Sequence, residues 1–485
     1  MKKSISTQED IKQLIIDIEQ KWQVDKWIID DIHVWPYIRI KIYIYFLNKL
    51  FSSSTENNVA KNKAVTGSVL VKYFAKCIKL VSAFFTVISF FLKLQNKKII
   101  FFGAHYHRIL HKGEFFNRFY DSMIDSHNLK EDVYMIEYRK VYEKNYNNKA
   151  IINLDKYLGC YKLIMSLMNK SSRKKSVFNL EGYDEFYETL NIKTLSIDKV
   201  SLLKWSKKII TLEGFYNRFY KKVKPEKVVF LGYYGLEDLT AAIVFARKLN
   251  IKTIDLQHGT QINNMAFSNW TKIPQNGFNT VVNEFWTWDE ESKKNIEEWG
   301  NKNNIAKAKV IGQPYVSYWT HLHSKVVSTN KKILYTLHLS RIEEMVNKDF
   351  ISIIKKLNYQ WVLRLHPRNS MSINEIEEYL FANGIKDKVT VQSSVEMPLP
   401  EILSQSALHL TNYSGCLIEA RMMNIPTVII NKLGLEIYKQ YLDNKLVYFV
   451  DFEEPNFNLV FENLVKDVEI NKVTSAKLEI YNPLS

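Results

Sequence analysis

Histidines, arginines and hydroxyl side chains collect at the ends of apolar runs in this chain, where a buried strand would deliver them to the edge of a sheet. IDLQHG (254–259) ends in Gln257, His258 and Gly259. A neutral imidazole in that position could take a proton from a hydroxyl group, and Gly259 would clear space beside the ring. VVFLGYYGLED (228–238) brings Glu237 and Asp238 to a similar end, so these acids are rival bases to His258. A third run leads into HYHRILHKGE (105–114), with His105, His107 and His111. No carboxylate or thiolate stands at metal-ligand spacing from them, so no metal is expected; acceptor contacts or a solvated loop fit better. His105, His107 and Gln257 are the expected acceptor-binding residues.

A second group suits an anion. LHLTNYSGCLIEA (408–420) reads as a strand running through Thr411 and Ser414 into a helix, with Gly415 at the turn. Free backbone N–H groups and the helix dipole would then face the strand end, where a phosphate could sit, and Glu419 could accept from a sugar hydroxyl. The plainer alternative is that Ser414 simply caps the helix. WVLRLHPR (361–368) ends in His366, with Arg364 and Arg368 beside it and a proline that stops the strand. Two arginines and a protonated imidazole would meet the charge of a departing phosphate.

The elements that must position these residues are parallel strands. KKIIFFGA (97–104), DVYMIEY (132–138), SVFNL (176–180), KVVFLGYYG, KTIDLQHG, EFWTWD and KVIGQP (309–314) are continuous apolar runs, as strands buried on both faces read. Between 227 and 259 a strand, a helix and a strand follow in one compact βαβ unit. The rhythm restarts at KILYTLHL (332–339) and continues through 361, 389, 407, 426 and 446. The stretch 315–330 lacks strand alternation and is expected to connect two domains, while 150–225 reads as a helical insertion. The expected organisation is a helical N-terminal region over 1–95, an acceptor domain over 96–325 and a nucleotide-donor domain over 326–485. Both domains would be Rossmann-like, doubly wound α/β sheets facing a cleft, with ligand at the carboxyl ends of the strands.

Composition bounds the partners. Lys and Arg number 67 against 51 Asp and Glu, a net charge of +16 that favours phosphate, nucleic acid or anionic lipid. No nucleic-acid recognition motif accompanies it, so nucleic acid is not the expected partner. Cys77, Cys160 and Cys416 lie far apart, as ordinary thiols do in a reducing, cytoplasmic compartment. The N-terminus is too charged for a secretory signal. LVSAFFTVISFFL (80–92), flanked by lysines, is shorter than the roughly 20 residues needed to span a bilayer. It reads either as a buried helix or as a basic amphipathic segment resting on the anionic inner face of the cytoplasmic membrane.

Over residues 97–455 the motifs together resemble bacterial two-domain (GT-B fold) transferases of surface polysaccharide synthesis. LQHGT (256–260) resembles the His-Gly-Thr motif of teichoic-acid glycerophosphate polymerases, whose histidine is thought to be the base. LHPR resembles the His-Pro motif those enzymes share with bacterial sialyltransferases, LTNYSG their Thr-Asp-Tyr-Ser element, and KVIGQP the Gly-x-Pro before the domain crossover. Asn412 stands where the polymerases have aspartate, and no proline follows Thr260. Glu419 and Ala420 follow the manner of sugar-nucleotide transferases. The resemblance implies an inverting, metal-independent glycosyltransferase with no cofactor, moving a sugar from a nucleotide sugar to an oligosaccharide or lipid-linked acceptor in capsule or lipopolysaccharide synthesis. Transfer of a polyol phosphate from a CDP-linked donor, a nucleic-acid-binding protein and a non-catalytic scaffold are the alternatives.

Overall fold

The computed structural model describes residues 5–51, 69–168, 176–234, 237–301, 305–323, 332–366, 369, 371–394, 397–443, 445–470 and 478–485. Two compact units emerge. The first comprises residues 1–107 and 128–310, the second 108–127 and 311–483.

Seven parallel strands form the sheet of the first unit, and numbered along the chain they lie in the order 3-2-1-4-5-6-7. This is the Rossmann order with one strand added. Its first strand, Ile99–Ala104, pairs with Val133–Tyr138 on one side and Lys227–Phe230 on the other, and Lys252–Leu256 follows next. One large core lies against it. Ile100, Phe102, Ile136, Val228 and Phe230 from the sheet join Phe215, Phe219 and Ala242 from the helices Glu213–Val223 and Glu237–Lys248.

The helical N-terminal region belongs to this core and is no loose appendage. Ile11, Ile15 and Ile18 of the helix Gln8–Lys21 and Ile38 and Ile42 of Trp35–Phe51 are buried in the same cluster. A buried ion pair fastens them. Arg39 Nε donates to Glu19 Oε1 at 2.8 Å, and its Nη2 donates to the carbonyls of Ser268 and Asn269 at 2.9 Å each. Glu19 Oε2 accepts from Thr271 N at 2.7 Å. The first helices therefore grip the loop that follows His258.

Six parallel strands form the second sheet, again in the order 3-2-1-4-5-6. Alternate residues of a strand point to opposite faces, and both faces are covered here. Ile333, Tyr335, Trp361 and Leu363 meet the helices Lys348–Lys356, Ile373–Ala382 and Phe457–Ile470. Leu334 and Val362 face the opposite layer, with Val316, Ile402 and Ala420. The fold class is thus two Rossmann-like α/β units with a helical N-terminal region.

The chain crosses between units at 107/108, 127/128 and 310/311, the last inside the KVIGQP motif and the first two within the segment expected to belong to the first domain. Residues 315–322, expected to connect domains, are most of a helix, Pro314–Leu322, inside the second unit. Pro314 at its first turn and Gln313, whose side chain accepts from Val316 N, start that helix. Residues 108–127, expected in the first domain, pack on it instead: Phe116 stacks on Tyr318 at 5.5 Å, and Tyr318 Oη donates to Asp125 at 3.1 Å. SVFNL differs too, since Phe178–Asn179 pairs antiparallel with Ile28–Ile29 in a small separate sheet. Residues 324–330 of the expected connection lie outside the described residues.

Candidate active site

In a doubly wound sheet, ligands bind at the carboxyl ends of strands 1 and 4, where the chain reverses direction across the sheet. In the first unit those ends carry His105, His107 and Gly232, and the next strand carries His258. His107 Nδ1 accepts from Ala104 N at 3.2 Å, so a neutral ring carries its proton on Nε2. Its ring lies 6.0 Å from that of His258, tilted by 65°. His105 stands at the same strand end against Tyr106 and Tyr142, and burial holds its pKa below the usual imidazole value.

Gly232 makes room for His258. A Cβ built there would lie 3.1 Å from His258 Cε1, and the backbone φ of +81° is one that side chains rarely adopt. Gly259, expected to do this, faces open space. Under the loop lies Asp255, fully buried, accepting from Tyr233 N at 2.8 Å and from Gln261 Nε2 at 3.3 Å. Burial pushes its pKa well above the carboxylate range, against the opposing pull of the Tyr233 and Gly232 N–H groups. Its hydrogen bonds tie the Gly232 loop to the His258 strand.

Other expected residues have different occupations. Gln257 is not free to meet an acceptor: it is fully buried, its Nε2 donates to Gly259 O and Ser292 Oγ at 3.1 Å, and its Oε1 accepts from Trp288 N at 2.6 Å. Asp238 pairs with Lys162 at 2.7 Å at the surface. The Glu237 side chain lies outside the described residues. His111 is part of a hairpin in the second unit. Among the described residues no cluster of three or more histidine, cysteine or acidic side chains could hold a metal ion.

In the second unit the corresponding strand ends bring together Thr411, Asn412, Tyr413, Ser414, His338 and, one strand over, His366. Thr411 Oγ1 accepts from Ser414 N at 2.7 Å, and Ser414 Oγ accepts from Cys416 N at 3.3 Å, so the hydroxyls shape the loop that leads into the helix Cys416–Met422, whose N-cap is Gly415. Asn412 Oδ1 accepts from the buried Tyr335 hydroxyl at 2.5 Å. Gly415 has an ordinary helical φ of −59°.

The His338 ring lies 4.8 Å from that of Tyr413, tilted by 48°. Its buried Nδ1 has no hydrogen-bond partner among the described residues, and burial depresses its pKa. Nothing in the sequence reading singled it out, although it ends the run KILYTLHL as His258 ends its own.

Glu419 is buried and accepts from Gln313 Nε2 at 2.9 Å. Burial raises its pKa, while Arg118 and Arg364 oppose the shift. Arg118 and Gln313 were also missed; one lies in the segment assigned to the wrong domain, the other within the KVIGQP motif. Arg118 keeps a buried Nε with no hydrogen-bond acceptor among the described residues. Arg364 is occupied otherwise than expected. Its guanidinium donates to Gln392 Oε1 at 2.6 Å, Ser394 O at 2.9 Å and Met397 O at 2.8 Å, bracing its own loop. Arg368 lies outside the described residues.

Neither a protein-family model nor a curated protein matches this sequence. Solved structures that resemble it include a UDP-N-acetylglucosamine 2-epimerase at 14% identity and TM-score 0.44, covering 80% of this chain and 92% of that one. Another is the UDP-GlcNAc 2-epimerase from Neisseria meningitidis bound to UDP-GlcNAc, at 15% identity, TM-score 0.45 and coverage of 79% and 95%. A third is the wall teichoic acid polymerase TagF, at 12% identity, TM-score 0.38 and coverage of 83% and 93%. At these identities no shared activity follows.

Proposed function

We propose that this chain is a cytoplasmic glycosyltransferase that moves a sugar from a nucleotide-sugar donor to a growing capsular or lipopolysaccharide glycan. The placement of His258 carries the reading: an imidazole at a strand end beside the switch point, over a glycine whose backbone is bent to admit it. In this reading the first unit handles the acceptor and the second the donor. His258 takes the proton of the acceptor hydroxyl as its oxygen bonds to the anomeric carbon. The bond from that carbon to the donor phosphate breaks, and the phosphate leaves with the electron pair. Within the second unit, His366 and Arg118 are the groups suited to bind the donor phosphates.

The test is the product. Incubation with UDP-, GDP-, CDP- and CMP-linked donors and a glycan acceptor should release nucleotide and extend the glycan. His258→Ala should lower turnover roughly 10²–10⁴-fold at saturating substrates, with donor binding retained. CMP release with formation of a phosphodiester would replace this reading by polyol-phosphate transfer, to which the LQHGT resemblance also points. Conversion of the donor sugar without any transfer would overturn both.

A further inference from the structure

We propose that the helix Val69–Lys93 seats the protein on the surface of an anionic lipid bilayer. The inference does not depend on the transferase reading. This helix has two apolar faces. Ala83, Val87, Phe90, Phe91 and Leu94 are buried along this stretch, with Phe90 stacked on Tyr157 at 4.1 Å and on Phe215 at 5.8 Å. Ile78, Val81, Phe84, Phe85, Ile88 and Leu92 are exposed, by 37% to 75%. At about 100° per residue these six fall within one arc of roughly 120°, bordered by Lys79, Ser82, Thr86, Ser89 and Lys93. Single exposed apolar residues are ordinary, but a continuous stripe of six marks a surface that meets something.

Charge selects the occupant. The helix sequence holds four lysines and no acid. Arg218 of the neighbouring helix lies 5.5 Å from the Phe91 ring, and Lys156 lies 5.8 Å from Tyr157. Two copies meeting along this stripe would bring lysines against lysines, whereas anionic headgroups neutralise them. Among the described residues no helix is long and apolar enough to cross a membrane. The geometry therefore places the helix in the plane of the interface, its stripe entering the boundary between headgroups and acyl chains.

Flotation of the purified full chain with vesicles tests this. The protein should float with phosphatidylglycerol–phosphatidylcholine vesicles, less as salt rises, and should stay behind with phosphatidylcholine alone. The double variant Phe85→Ser/Leu92→Ser should lose most of the floating fraction while keeping the wild-type thermal midpoint and nucleotide release on a soluble acceptor, since both side chains are exposed. Absence of flotation with either vesicle, or undiminished flotation of the variant, would overturn the proposal. So would a concentration-dependent dimer in light scattering that the double variant abolishes, because a second copy would then cover the stripe. Absence of nucleotide release by the wild-type chain with flotation intact would count against the transferase reading alone.

Discussion

Gly232 and Gly259 show how far chemistry at a single residue could be foreseen. His258 was legible because an imidazole and a glycine interrupt an apolar run. The glycine that clears its ring is not its sequence neighbour but Gly232, at the end of the adjacent strand. Cross-strand proximity leaves no mark in local sequence, and the same limit hid Asp255 beneath the loop. Gly232→Ala must place a Cβ 3.1 Å from the imidazole at a φ of +81°. It should cost at least about 1 kcal/mol of stability and lower turnover tenfold or more through displacement of the ring. Gly259→Ala, where a Cβ meets nothing within 4 Å, should stay within about 0.5 kcal/mol of wild type. Urea unfolding and steady-state kinetics on the pair separate clearance from mere adjacency. If both variants behave alike, Gly232 has no special bearing on the site.

Strands buried on both faces announce themselves as continuous apolar runs, which is why eleven of the thirteen parallel strands lie on runs read from sequence, while the edge strand Lys307–Val310, exposed on alternate residues, shares only two residues with KVIGQP. The other, Ile151–Asn153, is a three-residue edge strand, half-exposed and too short for any pattern. The helix Pro314–Leu322 was hidden for another reason: Tyr315, Val316, Tyr318, Trp319 and Thr320 are residue types that favour strands over helices, and tertiary packing overrides that preference. The second sheet also holds a titrating group inside a strand. His409 is fully buried in Leu408–Thr411, between Thr336 Oγ1 at 2.9 Å and Thr427 Oγ1 at 3.1 Å, and burial pushes its pKa from 6.5 down to about 3. Between those values the unfolded chain binds a proton that the folded sheet does not, so its contribution is complete above pH 6.5 and is lost as pH falls toward 3. The slope is at most about 1.4 kcal/mol per pH unit. Denaturation midpoints between neutral and mildly acid pH should fall more steeply for wild type than for His409→Gln. Parallel curves would mean that the imidazole charges freely within the sheet.

At the scale of the whole chain, the N-terminal helices were legible as helices but not as part of the first unit, because the contacts that bind them there are long-range. Arg39 and Glu19 are both fully buried and tie the first helices to residues 268–271. Arg39→Met should cost about 3–5 kcal/mol, since it leaves the Glu19 carboxylate buried without its counter-charge. Adding Glu19→Leu should restore part of that loss in a double-mutant cycle, and a double-variant loss equal to the sum of the two single losses would show the pair to be uncoupled. The interleaving of the two units has a further consequence, in the order of events during synthesis. Residues 108–127 leave the ribosome before 128–310, yet the helix Pro314–Leu322 on which they pack is made afterwards. At about 5–20 residues per second the segment waits roughly 10–40 s for its partner. Nascent chains stalled before residue 311 should carry a protease-sensitive 108–127 stretch that the finished protein protects, so a part of the molecule that is made early folds late.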